Sequence, residues 1–179
     1  MLSTDNAPTI LVLGGARSGK STYAERLFHS HPGVTYIATA QAWDDEMAAR
    51  IAAHQARRSA EWVTVNAPIA LPDALSQQTG VVLVDCLTLW LSNVMLAERD
   101  VAADVEALLK ALASRTAATV LVSNEVGEGI VPTTKLGRDF RDRQGTLNQQ
   151  VASVATGVVK LVAGCPLVVK PNLQPELSI

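Results

Sequence analysis

The residues best suited to chemistry lie near the N-terminus. Gly14-Gly15-Ala16-Arg17-Ser18-Gly19-Lys20-Ser21 follow the apolar run Thr9-Ile10-Leu11-Val12-Leu13 and fit the pattern G-x-x-x-x-G-K-[ST]. Glycines at 14 and 19 permit torsions and close approaches that a Cβ blocks. Successive backbone N–H groups can therefore turn inward on phosphate oxygens. Lys20 supplies a point charge for the β- and γ-phosphates, and the Ser21 hydroxyl is placed to ligate Mg²⁺. A helix starting near Lys20 adds the positive end of its dipole. Gly14, Gly15, Ala16, Arg17, Ser18, Gly19, Lys20 and Ser21 thus read as a nucleoside-triphosphate cradle. The bland alternative, a glycine-rich turn with no ligand, explains neither the lysine nor the hydroxyl.

Three further groups carry candidate chemistry. Asp85 ends the apolar run Val81-Val82-Leu83-Val84, where a carboxylate can hold Mg²⁺ beside Ser21 or simply cap the next helix. His54 falls with Arg50, Arg57 and Arg58 inside one arc about 100° wide on a helix. Neighbouring cations keep an imidazole neutral and nucleophilic, and guanidinium groups hold phosphate. On spacing alone the same pattern is a solvated basic face near a helix C-terminus. The segment Asn124-Glu125-Val126-Gly127-Glu128-Gly129-Ile130-Val131-Pro132 reads as a shaped functional loop, in which Glu125 can act on a hydroxyl or a second metal ion. Arg138, Arg141 and Asp142 share one helix face, either as phosphate-facing groups or as a surface ion-pair ladder. His29 and His31 read as surface residues.

The elements that position these groups alternate between strand and helix. Strands are predicted at 9–13, 34–38, 62–65, 81–85 and 119–123. Helices are predicted at 21–30 (with Tyr23, Ala24, Leu27 and Phe28 inward), 44–58, 68–77, 87–97, 101–115 and 136–156. Val158 to Ala163 and Leu167 to Lys170 flank Gly164-Cys165-Pro166 as a terminal hairpin. This alternation predicts an α/β fold of the P-loop NTPase (RecA-like) kind. It is a mostly parallel sheet flanked by helices, with a C-terminal antiparallel hairpin and ligands at the carboxyl ends of the strands. The whole of 1–179 reads as a single domain, with 1–8 and 171–179 expected to fray.

Composition narrows the function. Of 179 residues, 48% are hydrophobic and 18% charged, with a net charge of −2; such a chain builds a core and projects no basic field toward nucleic acid or anionic membrane. The longest apolar run, Val81 to Leu91, contains Asp85 and is too short to span a bilayer. Cys86 and Cys165 lie in apolar runs without metal-ligand spacing and read as buried free thiols of a reducing cytoplasm.

Taken together, these pieces resemble the bifunctional adenosylcobinamide kinase / adenosylcobinamide-phosphate guanylyltransferase family of cobalamin biosynthesis. The resemblance runs from about residue 9 to 170 and rests on motifs in order. These are Gly14 to Ser21, Tyr36-Ile37-Ala38-Thr39-Ala40, Asp44-Asp45-Glu46-Met47 leading to Arg50-Ile51 and His54, Trp62, Asp85-Cys86-Leu87-Thr88, Ser123-Asn124-Glu125-Val126-Gly127 with Gly129-Ile130-Val131-Pro132, and Phe140-Arg141-Asp142 with Gly145 and Asn148. It implies two reactions, phosphorylation of the aminopropanol hydroxyl of adenosylcobinamide by ATP or GTP, then transfer of GMP from GTP through a guanylyl-histidine. On this sequence the histidine is His54, with Lys20 and Glu125 completing the catalytic set. Ala38, Thr39, Ala40, Arg57, Arg58 and Thr88 become nucleotide contacts, Ser21 and Asp85 metal ligands, and a homotrimer the expected assembly. Two positions depart from the family's habit: Asn66 stands where a Glu is frequent, and Ser59 where a Pro is. Because the two reactions occur at different phosphates, either the helix bearing His54 moves or the GTP used for guanylyl transfer binds differently from the kinase nucleotide. Movement, with joints at Gln41-Ala42 and Ser59-Ala60, is the expectation.

Rival readings make separable claims. A plain small-molecule P-loop kinase releases no pyrophosphate from GTP and uses Arg138 to Arg143 as a lid. A GTP-dependent switch needs an Asn/Thr-Lys-x-Asp guanine motif, which Ser123-Asn124-Glu125-Val126 does not match. A nucleic-acid motor needs a basic stripe with interleaved aromatics.

Overall fold

The computed structural model describes residues 7–29, 31–42, 45, 49, 52 and 61–171. Short apolar runs become strands β1 (Thr9–Gly14), β2 (Thr35–Ala38), β3 (Val63–Asn66), β4 (Val82–Asp85), β5 (Thr119–Asn124), β6 (Gly157–Val162) and β7 (Cys165–Lys170). Between them lie helices α1 (Lys20–Arg26), α2 (Leu71–Ser76), α3 (Leu87–Leu96), α4 (Val101–Ala113) and α5 (Lys135–Val154). One sheet contains all seven strands in the order β3-β2-β4-β5-β1-β6-β7. Every pairing is parallel except the antiparallel hairpin of β6 with β7. This is the mostly parallel α/β architecture that the alternating sequence predicts.

Both faces of the sheet are covered, which is why its central strands are continuously apolar. Successive residues of a strand point to opposite faces, so Leu11 and Val12 of β1 enter different clusters. Leu11, Ile37, Val84 and Leu121 pack with Trp90, Leu108 and Leu147 on one side. Val12, Tyr36, Leu83 and Val122 pack with Ala24 and Phe28 on the other. Trp90 is fully buried, and its indole N–H donates to the Ile69 carbonyl at 2.8 Å, which removes the cost of burying that donor. At the amino ends of the strands Arg115 is buried. It donates to Thr119 Oγ1 at 3.0 Å and to the carbonyls of Gln78 and Gly80, tying the connection before β4 to the one before β5.

Several boundaries differ from the sequence-based expectation. The first helix ends at Arg26 and gives way to turns, so Leu27 is 41% exposed while Phe28 is buried. The hairpin turn is Ala163-Gly164, both at positive φ (50° and 81°), the signature of a two-residue type I′ connection. Cys165 and Pro166 therefore belong to β7, where an edge position tolerates proline. Cys165 is exposed, not buried as expected: β7 is the last strand of the sheet, and among the described residues no further strand pairs beyond it. Cys86 is buried. The helix predicted at 44–58 is described only at Asp45, Ala49 and Ala52, which are helical. Arg50, His54, Arg57, Arg58 and Ser59-Ala60 lie outside the described residues, as do 1–6 and 172–179 of the two predicted fraying ends.

Candidate nucleotide site

The strand register brings the candidate groups to one end of the sheet. Asn66, Ala38 and Asp85 align across β3, β2 and β4. Asn124, Gly14 and Leu161 align across β5, β1 and β6. These are carboxyl ends of parallel strands, where ligands of such sheets bind.

The loop from Gly14 to Lys20 begins at a position where contacts leave no room for a side chain. A Cβ on Gly14, whose φ is +153°, would lie 2.5 Å from Ser18 Oγ and 2.7 Å from the Leu161 carbonyl. Arg17 and Gly19 also take positive φ (57° and 94°), turning the backbone N–H groups into a concave nest. The loop is held from outside at two points: Glu125 N–H donates to the Gly14 carbonyl and Gly164 N–H to the Ser18 carbonyl, each at 3.0 Å. The hairpin turn thus supports the phosphate loop. Gly19 caps α1 without a side-chain hydrogen bond, so the N–H groups of the first turn keep the orphan status that suits an anion.

Lys20 is buried, and its Nζ donates to the Gly15 carbonyl at 2.6 Å. Burial pushes its pKa below the usual lysine range, while Cys86 and the negative charge of Asp85 pull it back. Ser21 follows, half-buried, on the first turn of α1. The half-buried Asp85 accepts the Tyr36 hydroxyl on Oδ2 at 2.8 Å. Cys86, wholly enclosed beside that carboxylate, has its thiol pushed up to about 12 by burial first and by Asp85 second.

Thr39 and Thr88 occupy structural positions at the rim of the site. Thr39 is fully buried: its hydroxyl donates to the Cys86 carbonyl at 2.7 Å and accepts from Cys86 N–H at 2.8 Å. Asn93 Nδ2 reaches the Thr39 carbonyl at 2.8 Å, so β2, β4 and α3 are clamped together there. Thr88 Oγ1 accepts from Asn124 N–H at 2.8 Å. Ala38 and Ala40 are half-buried on either side of Thr39.

The glutamate loop is also pinned. Glu125 Oε1 accepts from Gly127 N–H at 2.7 Å, and Glu128 pairs with Lys160 of β6. Arg138 clamps the far end by donating to the carbonyls of Pro132 and Thr133 at 3.1 and 2.8 Å. Arg141 pairs with its neighbour Asp142 at 3.2 Å. His29 and His31 are exposed. Sequence reasoning missed Tyr36 as the holder of Asp85, Asn93 as a clamp, Gln144 as a buried polar group and Lys160 as the loop's anchor. The last two left a signal, since each is a polar residue in the phase of an apolar pattern.

A parallel sheet carrying this loop after its first strand defines the P-loop NTPase fold. Two solved structures agree at that level: an ATPase from the type III secretion system of pathogenic bacteria (TM-score 0.57, 12% identity, 87% of this chain and 51% of that one) and a Pyrococcus horikoshii OT3 protein (TM-score 0.52, 11% identity, 90% and 85%). Within the fold the family is specific. The family model described as cobinamide kinase / cobinamide phosphate guanyltransferase matches residues 10–169. The bifunctional adenosylcobalamin biosynthesis protein CobP of Pseudomonas aeruginosa is 47% identical over 166 residues, 89% of this chain and 96% of that protein. The bifunctional adenosylcobalamin biosynthesis protein CobU of Escherichia coli is 40% identical over 179 residues, 90% of this chain and 99% of that protein. The chain belongs to the cobinamide kinase / cobinamide phosphate guanyltransferase family.

Proposed function

We propose that this chain performs both reactions of its family on one phosphate cradle, and that it acts in the cytoplasm on adenosylcobinamide. The observation that carries this reading is the loop Gly14–Ser21, with Asn124-Glu125 at the end of the adjacent strand β5 and Asp85 at the end of β4 beyond it. In the kinase step the nest and Lys20 hold ATP or GTP. The corrinoid hydroxyl oxygen attacks the γ-phosphorus, the bond to the β-phosphate oxygen breaks, and a nucleoside diphosphate leaves. Glu125 takes the hydroxyl proton. Its Oε1 is held by Gly127, so the carboxylate is aimed before substrate arrives. In the second reaction a neutral His54 nitrogen attacks the α-phosphorus of GTP and pyrophosphate leaves. A phosphate oxygen of the phosphorylated corrinoid then displaces His54 to give adenosylcobinamide-GDP. Arg57 and Arg58 balance the charge that builds on the phosphate, and Ala38, Thr39, Ala40 and Thr88 shape the nucleotide's edge of the site.

Ser21 and Asp85 suit Mg²⁺, a hard cation that takes oxygen donors. Among the described residues no group of three or more His, Cys, Asp or Glu could hold a metal. When bound, Mg²⁺ would neutralise charge on the transferring phosphates. Among the described residues no helix is long and apolar enough to cross a membrane.

We assign the homotrimer contact to β7. Leu167, Val168 and Val169 are 57%, 59% and 47% exposed, and a free apolar edge of this kind seeks a partner. Cys165 on the same strand is the reporter: it reacts slowly with a thiol reagent in the assembly and quickly once Leu167→Lys dissociates it. The reactions are tested by incubating the protein with GTP labelled at the α-phosphate. An acid-labile label that is absent from His54→Ala supports the reading, and label persisting in that variant refutes the histidine assignment. Mass analysis with GTP, Mg²⁺ and adenosylcobinamide decides between a GMP-bearing product and the plain kinase's phosphate-bearing one.

A further inference from the structure

Gln144 of α5 is fully buried, yet among the described residues its Oε1 has no hydrogen-bond partner. A buried unmet acceptor is a cost that leucine or methionine would avoid. The amide's other end is fully used. Nε2 donates to Ser123 Oγ and to Asn148 Oδ1, each at 2.9 Å, and Ser123 Oγ donates to the same Asn148 oxygen at 2.7 Å. That fixes the Asn148 side chain, whose Nδ2 donates to the Asn124 carbonyl at 3.0 Å. Asn124 N–H is already held by Thr88, and Glu125 N–H by the Gly14 carbonyl.

The peptide between Asn124 and Glu125 is therefore held on both of its polar ends, and Gln144 orients the asparagine that holds one of them. Gln144 is remote from solvent and is separated from the Glu125 peptide by a chain of two hydrogen bonds. We propose that Gln144 is a positioning residue for the kinase step: through Asn148 it sets the direction in which Glu125 leaves β5 and so aims its carboxylate at the substrate hydroxyl. The inference rests on the kinase role given to Glu125.

A group kept for positioning has a kinetic signature that a packing residue lacks. Gln144→Met removes the orphaned acceptor and two donors, and leaves Asn148 Oδ1 still bonded to Ser123. The thermal midpoint is expected to stay or rise. The kinase kcat is expected to fall about tenfold, the size of a lost orienting partner, with KM for GTP and the rate of His54 labelling unchanged. In a Glu125→Gln background the same substitution should have little further effect, because there is no carboxylate left to aim. Equal losses in the two backgrounds, or a fall in kinase and labelling rates together with the thermal midpoint, would overturn the positioning role. Wild-type kcat in Gln144→Met beside an impaired Glu125→Gln refutes the inference alone. Full kinase activity in Glu125→Gln refutes the reading of Glu125 and the inference with it. Should Gln144→Met not fold, Ser123→Ala removes the neighbouring arm of the network and is judged by the same split.

Discussion

Tyr36→Phe removes the hydroxyl that donates to Asp85 and tests the metal role given to that carboxylate. The ring of Tyr36 is 3% exposed and packs among Val34, Leu83 and Phe28, so the substitution leaves the core volume intact. What disappears is the bond from the Tyr36 hydroxyl to Asp85 Oδ2 at 2.8 Å. A hydrogen bond to an ionised carboxylate is worth about 1.5–3 kcal/mol. Asp85 also faces the charge of Lys20, which continues to restrain it, so the lower end applies. At about 1.4 kcal/mol per tenfold change in an equilibrium constant, the expected loss is about tenfold in apparent Mg²⁺ affinity. Losses of that order are usual when a ligand's hydrogen-bond partner is removed.

The assay is kinase rate against free Mg²⁺ at saturating nucleotide. The half-saturating Mg²⁺ concentration should rise about tenfold, while the rate at saturating Mg²⁺ returns close to wild type. Urea unfolding should show a loss of about 1.5 kcal/mol, the lower end of the same range. An unchanged Mg²⁺ curve beside that loss of stability would mean that Asp85 does not carry the metal, and that its bond to Tyr36 belongs to the core. A depressed plateau with an unchanged half-point would point instead to misplacement of Lys20.

Gly14→Ala sets a methyl group against the Leu161 carbonyl; it should destabilise by about 1–3 kcal/mol and abolish measurable nucleotide binding by isothermal titration. Lys20 has its pKa lowered by burial, so between that value and 10.5 the unfolded chain binds more protons, and this group's contribution to stability rises with pH. Nucleotide affinity moves the opposite way, falling as Lys20 loses its charge, and Lys20→Met should flatten both profiles in urea melts and binding titrations. Cys86, with its thiol pushed up to about 12, should resist alkylation until guanidinium unfolds the chain, as peptide mapping after a timed iodoacetamide pulse will show.

What was legible in the sequence follows from how local each signal is. The phosphate loop, the buried strands and the alternation with helices are written in neighbouring residues, and Gly14, Gly19 and Lys20 stand where their spacing requires. Even the hairpin was visible, although its turn lay one step earlier than the proline suggests. A type I′ turn is chosen by two residues that accept positive φ, and Ala163 is a poor advertisement for one. Tyr36 and Asn93 were not legible, and Gln144 showed only as a polar residue in an apolar phase, because each acts on a residue about 20 to 50 positions away, through register and helix packing that no window along the chain contains. Cys165 was misread for a related reason. Apolar neighbours imply burial only when another element covers them, and β7 ends its sheet.

The same distinction bears on how one cradle serves two reactions. The contacts that shape the loop come from Glu125 N–H on one side and Gly164 N–H on the other, so the cradle is braced by two structures with different duties. The Glu125 brace belongs to the segment proposed to act at the γ-phosphate. The Gly164 brace belongs to the hairpin whose outer strand is proposed to meet another subunit. His54 stands on neither. The attack proposed for it at the α-phosphate therefore asks for no rearrangement of the loop. On the proposed roles the kinase step depends on the bracing of β5, whereas guanylylation depends on His54, which neither brace carries. Substitutions in the Ser123–Gln144–Asn148 network should then separate the two activities, and substitutions in the loop itself should remove both.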